Sequence, residues 1–191
     1  IDKYNSKLSN FDFKGKLFLV KIDKFSQLSN KFEKCFINYS GNPELFEKRC
    51  FQRWFILNEF LDSIKLDGFF YSDCDVLFFT TVKDEIYKIK NYDIGIGNNN
   101  CMGIMLGQNN DFLKKYTNFV FDCYENKNEI FEQISSYWYD FFEKHPECGG
   151  ICDMTFFSLF LEKNTNIKPF FLSENIINNS VYDKHLSYLT D

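Results

Sequence analysis

Asp73 and Asp75 stand one residue apart in Gly68-Phe69-Phe70-Tyr71-Ser72-Asp73-Cys74-Asp75-Val76-Leu77-Phe78-Phe79, between two apolar runs. Phe69 to Tyr71 has the composition of a short buried strand, which puts both acids at its end. Two carboxylates at the end of a buried strand are costly unless a counter-charge offsets them. A divalent cation is the commonest such partner. Carboxylate oxygens suit Mg²⁺ or Mn²⁺, and sites of this kind leave coordination positions open for substrate phosphates. The alternative is an exposed turn carrying two solvated acids; the apolar flanks favour the metal.

The elements that must position these acids follow from the apolar spacing. Lys16 to Ile22 and Cys35 to Tyr39 read as strands. Ser40-Gly41-Asn42 is a turn, and Asn42 can cap a helix with Pro43 as its first residue. That helix is expected to run to about Ile64, with Phe46, Cys50, Trp54, Leu57, Leu61 and Ile64 on its core face. Val82 to Lys90, Asp111 to about Asn126, Asn128 to Lys144 and Asp153 to Lys163 follow as helices. Tyr92 to Gly97, Cys101 to Leu106 and Ile167 to Leu172 follow as strands. Pro146 to Gly150 interrupts the pattern. Alternating strands and helices without a repeat or linker predict an α/β fold. It is a single domain with a mixed, partly parallel central sheet flanked by helices.

The bulk properties narrow the function. The length of 191 residues suits one domain with a sizeable core. The excess of Phe (25 residues), with frequent Lys, Asn and Ile, reads as nucleotide-composition bias in the source rather than as chemistry. A net charge of −5 with no basic stripe argues against a nucleic-acid partner. Seven cysteines form no disulfide framework, which points to a reducing compartment, and Cys148-x-x-x-Cys152 matches no common zinc spacing. No signal peptide or transmembrane segment is apparent, so the expected location is the cytoplasm, with room for peripheral membrane attachment. The chain begins at Ile1 rather than Met, so a preceding segment, with any signal or anchor it carries, is expected to be missing.

Three stretches then point to a family. Arg53-Trp54-Phe55-Ile56-Leu57, Phe70-Tyr71-Ser72-Asp73-Cys74-Asp75-Val76-Leu77 and Gly149-Gly150-Ile151-Cys152-Asp153-Met154-Thr155 resemble glycosyltransferases of the GT-A fold. Those enzymes use nucleotide-diphosphate sugars and a D-x-D metal motif, and the resemblance spans roughly Phe36 to Tyr188. It implies a Rossmann-like sheet. It implies that Asp73 and Asp75 hold Mn²⁺ or Mg²⁺ against the two phosphates, with Asp73 also meeting the ribose. The helix-start Asp153 would face the acceptor or donor sugar, and a late histidine, His185, would be a further metal ligand. The family normally opens with a strand that grips the nucleotide base. This chain starts after that element or carries a divergent version of it at Lys16 to Ile22.

Each candidate has a role and a plainer counterpart. Asp153 is the catalytic candidate, placing the acceptor hydroxyl or acting as general base if the reaction inverts; otherwise it is a helix N-cap. A neutral His185 could complete the metal shell, or stand on the surface of a tail without apolar periodicity. Arg53 could pair with an Asp-x-Asp carboxylate or bind phosphate, or form an ion pair along its own helix face. Tyr39 and Ser40 end a predicted strand, where ligands bind in α/β sheets, and could touch the nucleotide. Asn98 to Asn100 with Gly103 could line the sugar pocket or be a plain loop.

The leading expectation is a metal-dependent glycosyltransferase acting from a nucleotide-diphosphate sugar on a glycan or other hydroxyl acceptor. One alternative is a non-catalytic glycosyltransferase-like domain that binds nucleotide sugars or serves as a scaffold. A phosphatase of the haloacid-dehalogenase type is a lesser one, because it wants Thr two residues after the second Asp and Leu77 stands there.

Overall fold

The computed structural model describes residues 20–174 except 65, 67, 75, 77–80, 99–100, 128 and 145–149. After a 3₁₀ turn at Ile22–Phe25 come α1 (Gln27–Glu33), α2 (Glu44–Ile64), β1 (Phe69–Ser72), α3 (Val82–Lys88), β2 (Ile94–Asn98), β3 (Cys101–Gly107), α4 (Asp111–Asn126), α5 (Glu129–Lys144), α6 (Asp153–Lys163) and β4 (Pro169–Phe171). The described strands form one sheet in the order β1-β3-β2-β4. β3 runs antiparallel to both β1 and β2, whereas β4 is parallel to β2. The fold is therefore mixed α/β with a partly parallel sheet, as the alternation of elements implies.

Register is fixed by close approach. Phe69 faces Gly107 across β1 and β3, and a Cβ on Gly107 would stand 2.3 Å from a Phe69 ring carbon. Glycine thus makes room for a ring that packs onto its neighbour's backbone.

One expected strand is not found, and another falls mostly outside the described residues. Residues 16–19 lie outside the described residues, and the end of that run, Ile22, opens a 3₁₀ turn in which no residue is buried. Cys35 to Tyr39 is irregular because α1 precedes it: the Cys35 and Phe36 amides both donate to the Phe32 carbonyl, continuing the helical path past Glu33. Phe36 then packs its ring on Phe32 at 5.7 Å and Tyr124 at 5.7 Å rather than into a sheet. A short apolar run does not distinguish helix end from strand by periodicity.

The buried face of α2 is also rotated from the expected one. Glu47, Phe51, Gln52, Trp54, Phe55, Asn58 and Leu61 are buried, while Phe46 is 57% exposed. The polar members of this face are each matched by a specific partner. Glu47 Oε1 accepts from Ser40 Oγ (3.0 Å) and Asn42 Nδ2 (2.6 Å), and Asn58 Nδ2 donates to Thr117 Oγ1 on α4 (3.1 Å). Hydrogen bonding offsets the cost of burying them, so a search for apolar spacing alone misplaces the face.

Around α2 the aromatic residues interlock. Phe32 stacks on Phe55 at 4.7 Å, Tyr124 stacks on Phe156 at 5.2 Å, and Phe51 meets both Phe32 and Tyr124 edge-on or tilted. Such pairs add to area burial. Phe51→Ala should cost about 3–5 kcal/mol by leaving a cavity. Phe46→Ala should stay within about 0.5 kcal/mol as an exposed change. Urea unfolding of the two variants checks which face of α2 is inside.

Candidate active site

Three elements converge on one guanidinium. Arg53 and Trp54 lie mid-way along α2, Tyr71 lies on β1, Asp73 follows it, and Asp153 opens α6. Alternation along the extended chain puts Tyr71 and Asp73 on the same face of the sheet. The Asp73 amide extends the ladder by donating to Gly103 carbonyl at 2.8 Å, so the acid is held in strand-like register just beyond β1.

Arg53 Nη1 donates to Asp73 Oδ1 at 2.9 Å, and Nη2 donates to Asp153 Oδ2 at 2.8 Å. Trp54 Nε1 adds a second donor to Asp153 Oδ2 at 2.8 Å, and Tyr71 Oη donates to Asp73 Oδ1 at 2.6 Å. The Trp54 and Tyr71 rings meet at 5.0 Å, and the guanidinium lies 4.4 Å over the Trp54 ring. Tyr116 Oη on α4 donates to the Asp153 carbonyl at 2.8 Å, anchoring the helix start from behind.

The electrostatics follow from burial. The Asp153 side chain is 3% exposed, and those of Arg53 and Asp73 are 29% and 34% exposed. Burial opposes the charge on Arg53, but Asp153, Tyr71 and Asp73 outweigh it and hold the guanidinium above its ordinary value. Burial pushes the Tyr71 hydroxyl up, and its bond to Asp73 pushes it further, so it stays a donor. Cys50, one turn before Arg53, has its thiol pushed up to about 11 by burial and then by Asp153; burial also raises the thiol of Cys152.

Each acid spends one oxygen internally. Asp73 Oδ2 and Asp153 Oδ1 accept no hydrogen bond from a described residue. Two carboxylates against one guanidinium leave a formal charge of −1 on the described cluster. A free carboxylate oxygen beside net negative charge suits a hard cation or a hydroxyl donor.

Of the residues singled out in the sequence, the fold brings Arg53, Asp73 and Asp153 into direct contact. Arg53 pairs across the fold, not along its own helix face. Asp153 is the first residue of α6; the N-cap position belongs to Cys152, whose amide donates to Thr155 Oγ1 at 3.4 Å. Tyr39 makes no hydrogen bond to this cluster: its carbonyl accepts from the amide of Ile151, two residues before Asp153, at 3.0 Å, and its ring meets Phe131 and Tyr139 on α5. Asp75, Asn99, Asn100 and His185 lie outside the described residues. No group of three or more His, Cys, Asp or Glu able to hold a metal occurs among the described residues. No helix among them is long and apolar enough to cross a membrane.

No family model, curated protein or solved structure matches this chain.

Trp54, Tyr71 and Tyr116 were missed as site residues. Tyr71 had a readable signal, since it precedes Asp73 by two residues on a strand. Trp54 reads as core, and its indole N–H is a site feature only once α6 is packed against α2.

Arg53→Met should cost about 3 kcal/mol, the low end for stranding a buried acid because the guanidinium is partly exposed. Pairing it with Asp153→Asn should recover part of that loss; thermal unfolding of both variants in a double-mutant cycle measures the coupling. Cysteine reactivity gives a second check. At pH 8 exposed Cys74 should be alkylated well before Cys50 and Cys152, whose raised thiols hold little thiolate. Timed iodoacetamide labelling read by mass spectrometry gives the order.

Proposed function

We propose that this protein is a metal-dependent glycosyltransferase that moves a sugar from a nucleotide-diphosphate donor to an acceptor hydroxyl. The observation that carries the reading is the Arg53 bridge. It joins the acid after β1 to the acid opening α6, and each acid keeps an uncommitted oxygen.

In this reading Asp73 Oδ2, with Asp75 and the imidazole of His185, holds Mn²⁺ or Mg²⁺. The described part of that set fits: a carboxylate with a free oxygen at a partly exposed position is a hard-cation ligand. When bound, the cation supplies Lewis-acid stabilisation of the departing diphosphate. Tyr71 and Arg53 fix the other oxygen of Asp73, which keeps its carboxylate in one orientation. In this role Asp153 Oδ1 would orient a sugar or acceptor hydroxyl that reaches the buried carboxylate, while Trp54 and Arg53 hold Oδ2. Both Arg53 amino groups are spent on carboxylates, so Arg53 acts as the positioner and meets phosphate only by releasing one of them.

A nucleoside diphosphate and Mn²⁺ should bind together more tightly than either alone, and Asp73→Asn or Asp75→Asn should remove the metal-dependent part. Calorimetry measures this; undiminished metal-dependent binding in both variants would sink the metal assignment. Asp153→Asn should lower turnover by about 10²-fold or more while leaving nucleotide affinity within a few-fold, the signature of a group acting in the transition state. Nucleotide-sugar binding without any transfer or hydrolysis by the parent protein would instead identify a binding domain.

A further inference from the structure

A cleft lies at the far end of the sheet. β3 runs away from the acidic site: the Asp73 amide bonds Gly103 near its start, whereas Gln108 follows its last residue. Five residues of extended chain separate these points by about 17 Å. There the connections α3–β2, β3–α4 and α6–β4 enclose a cleft of about 480 Å³, within the range of small-ligand sites.

The walls of this cleft are held by their own bonds. Asp93 and Lys168 clasp each other, Asp93 amide to Lys168 carbonyl at 3.0 Å and Lys168 amide to Asp93 Oδ2 at 2.7 Å. Gln108 Nε2 donates to the Ile89 carbonyl at 3.0 Å. The side chains of Asn91, Lys115 and Asn166, which also line the cleft, make no hydrogen bond or ion pair with a described residue. Tyr92 is 39% exposed, with one side of its ring packed edge-on to Phe170 at 4.9 Å.

The lining therefore offers fixed walls, uncommitted amides, three lysine amines, an accessible aromatic ring, and charges of both signs. Lys90, Lys115 and Lys168 share the lining with Asp93 and Asp111, so neither sign prevails by more than one formal charge; a multivalent anion would meet carboxylates as well as lysines, and an apolar ligand would strand the amides. A hydroxyl both donates and accepts, and the C–H face of a pyranose can lie on an aromatic ring. We infer that this cleft binds a neutral oligosaccharide. The inference stands on the lining alone and does not depend on the chemistry assigned to Asp73 and Asp153.

The test uses an immobilised panel of neutral oligosaccharides (gluco-, manno-, galacto- and N-acetylglucosamine-based) alongside uronate- and sulfate-bearing ones, in EDTA and without nucleotide. The parent protein should retain at least one neutral oligosaccharide. The surface variant Asn91→Ala/Lys115→Ala/Asn166→Ala should lose about tenfold or more in affinity with an unchanged thermal midpoint. Tyr92→Ala should weaken the same interaction, and Asp73→Asn should leave it intact. Three outcomes would overturn the inference: no neutral oligosaccharide retained at millimolar concentration, retention unaffected by the triple variant, or retention confined to the acidic members. Loss in Asp73→Asn with none in the triple variant would move the sugar to the acidic site.

Discussion

A carboxylate removed from water governs this structure. The side chain of Asp153 is almost fully buried at the start of α6, and its Oδ2 is met by Arg53 and Trp54 from adjacent positions on α2, both at 2.8 Å. An unpaired buried carboxylate is strongly destabilising, whereas a paired and hydrogen-bonded one is tolerated. The ionic contact therefore fixes where α6 meets α2 along their lengths and which way α2 is turned. Tyr116 from α4 locks the same residue by its carbonyl. Three helices thus agree on one point, and β1 joins them through Asp73 and Tyr71.

This constraint explains why the packed face of α2 contains acids and amides. A helix crossed by α1 on one side and by α4 and α6 on others has no single apolar stripe to present. Glu47, Gln52 and Asn58 are buried there because the turn at Ser40–Asn42, α1 and α4 each supply polar partners. The aromatic rings fill what remains. What reads as compositional bias in the sequence is, in the fold, a continuous set of ring contacts from Phe32 through Phe51 and Tyr124 to Phe156. Rings with definite edge and face preferences specify geometry more sharply than aliphatic side chains of equal area.

The same framework leaves one oxygen of each acid uncommitted. Arg53 offsets charge on both carboxylates without occupying both oxygens of either. The acid after β1 sits on a hydrogen-bonded sheet edge, and the other sits on a packed helix, so neither rides on a loop. A loss at this cluster therefore reaches fold stability, because each member is held by the others.

Most helices and the core strands were legible in the sequence. α4, α5 and α6 each carry enough periodic apolar residues, over 16, 16 and 11 residues, for spacing to reveal them. Asp73 was legible as well, because an acid directly after a buried apolar strand needs a partner whatever that partner proves to be. Short segments were not: Cys35 to Tyr39 is too brief for period to separate a helix end from a strand, and α1, at seven residues, is likewise too short for its spacing to show. The tertiary structure alone decided that Arg53 reaches Asp73 and Asp153, which lie 20 and 100 residues away in the chain. Such pairings leave no mark in local spacing, because they are selected by the cost of burying each charge alone and not by any preference of the residues that flank it.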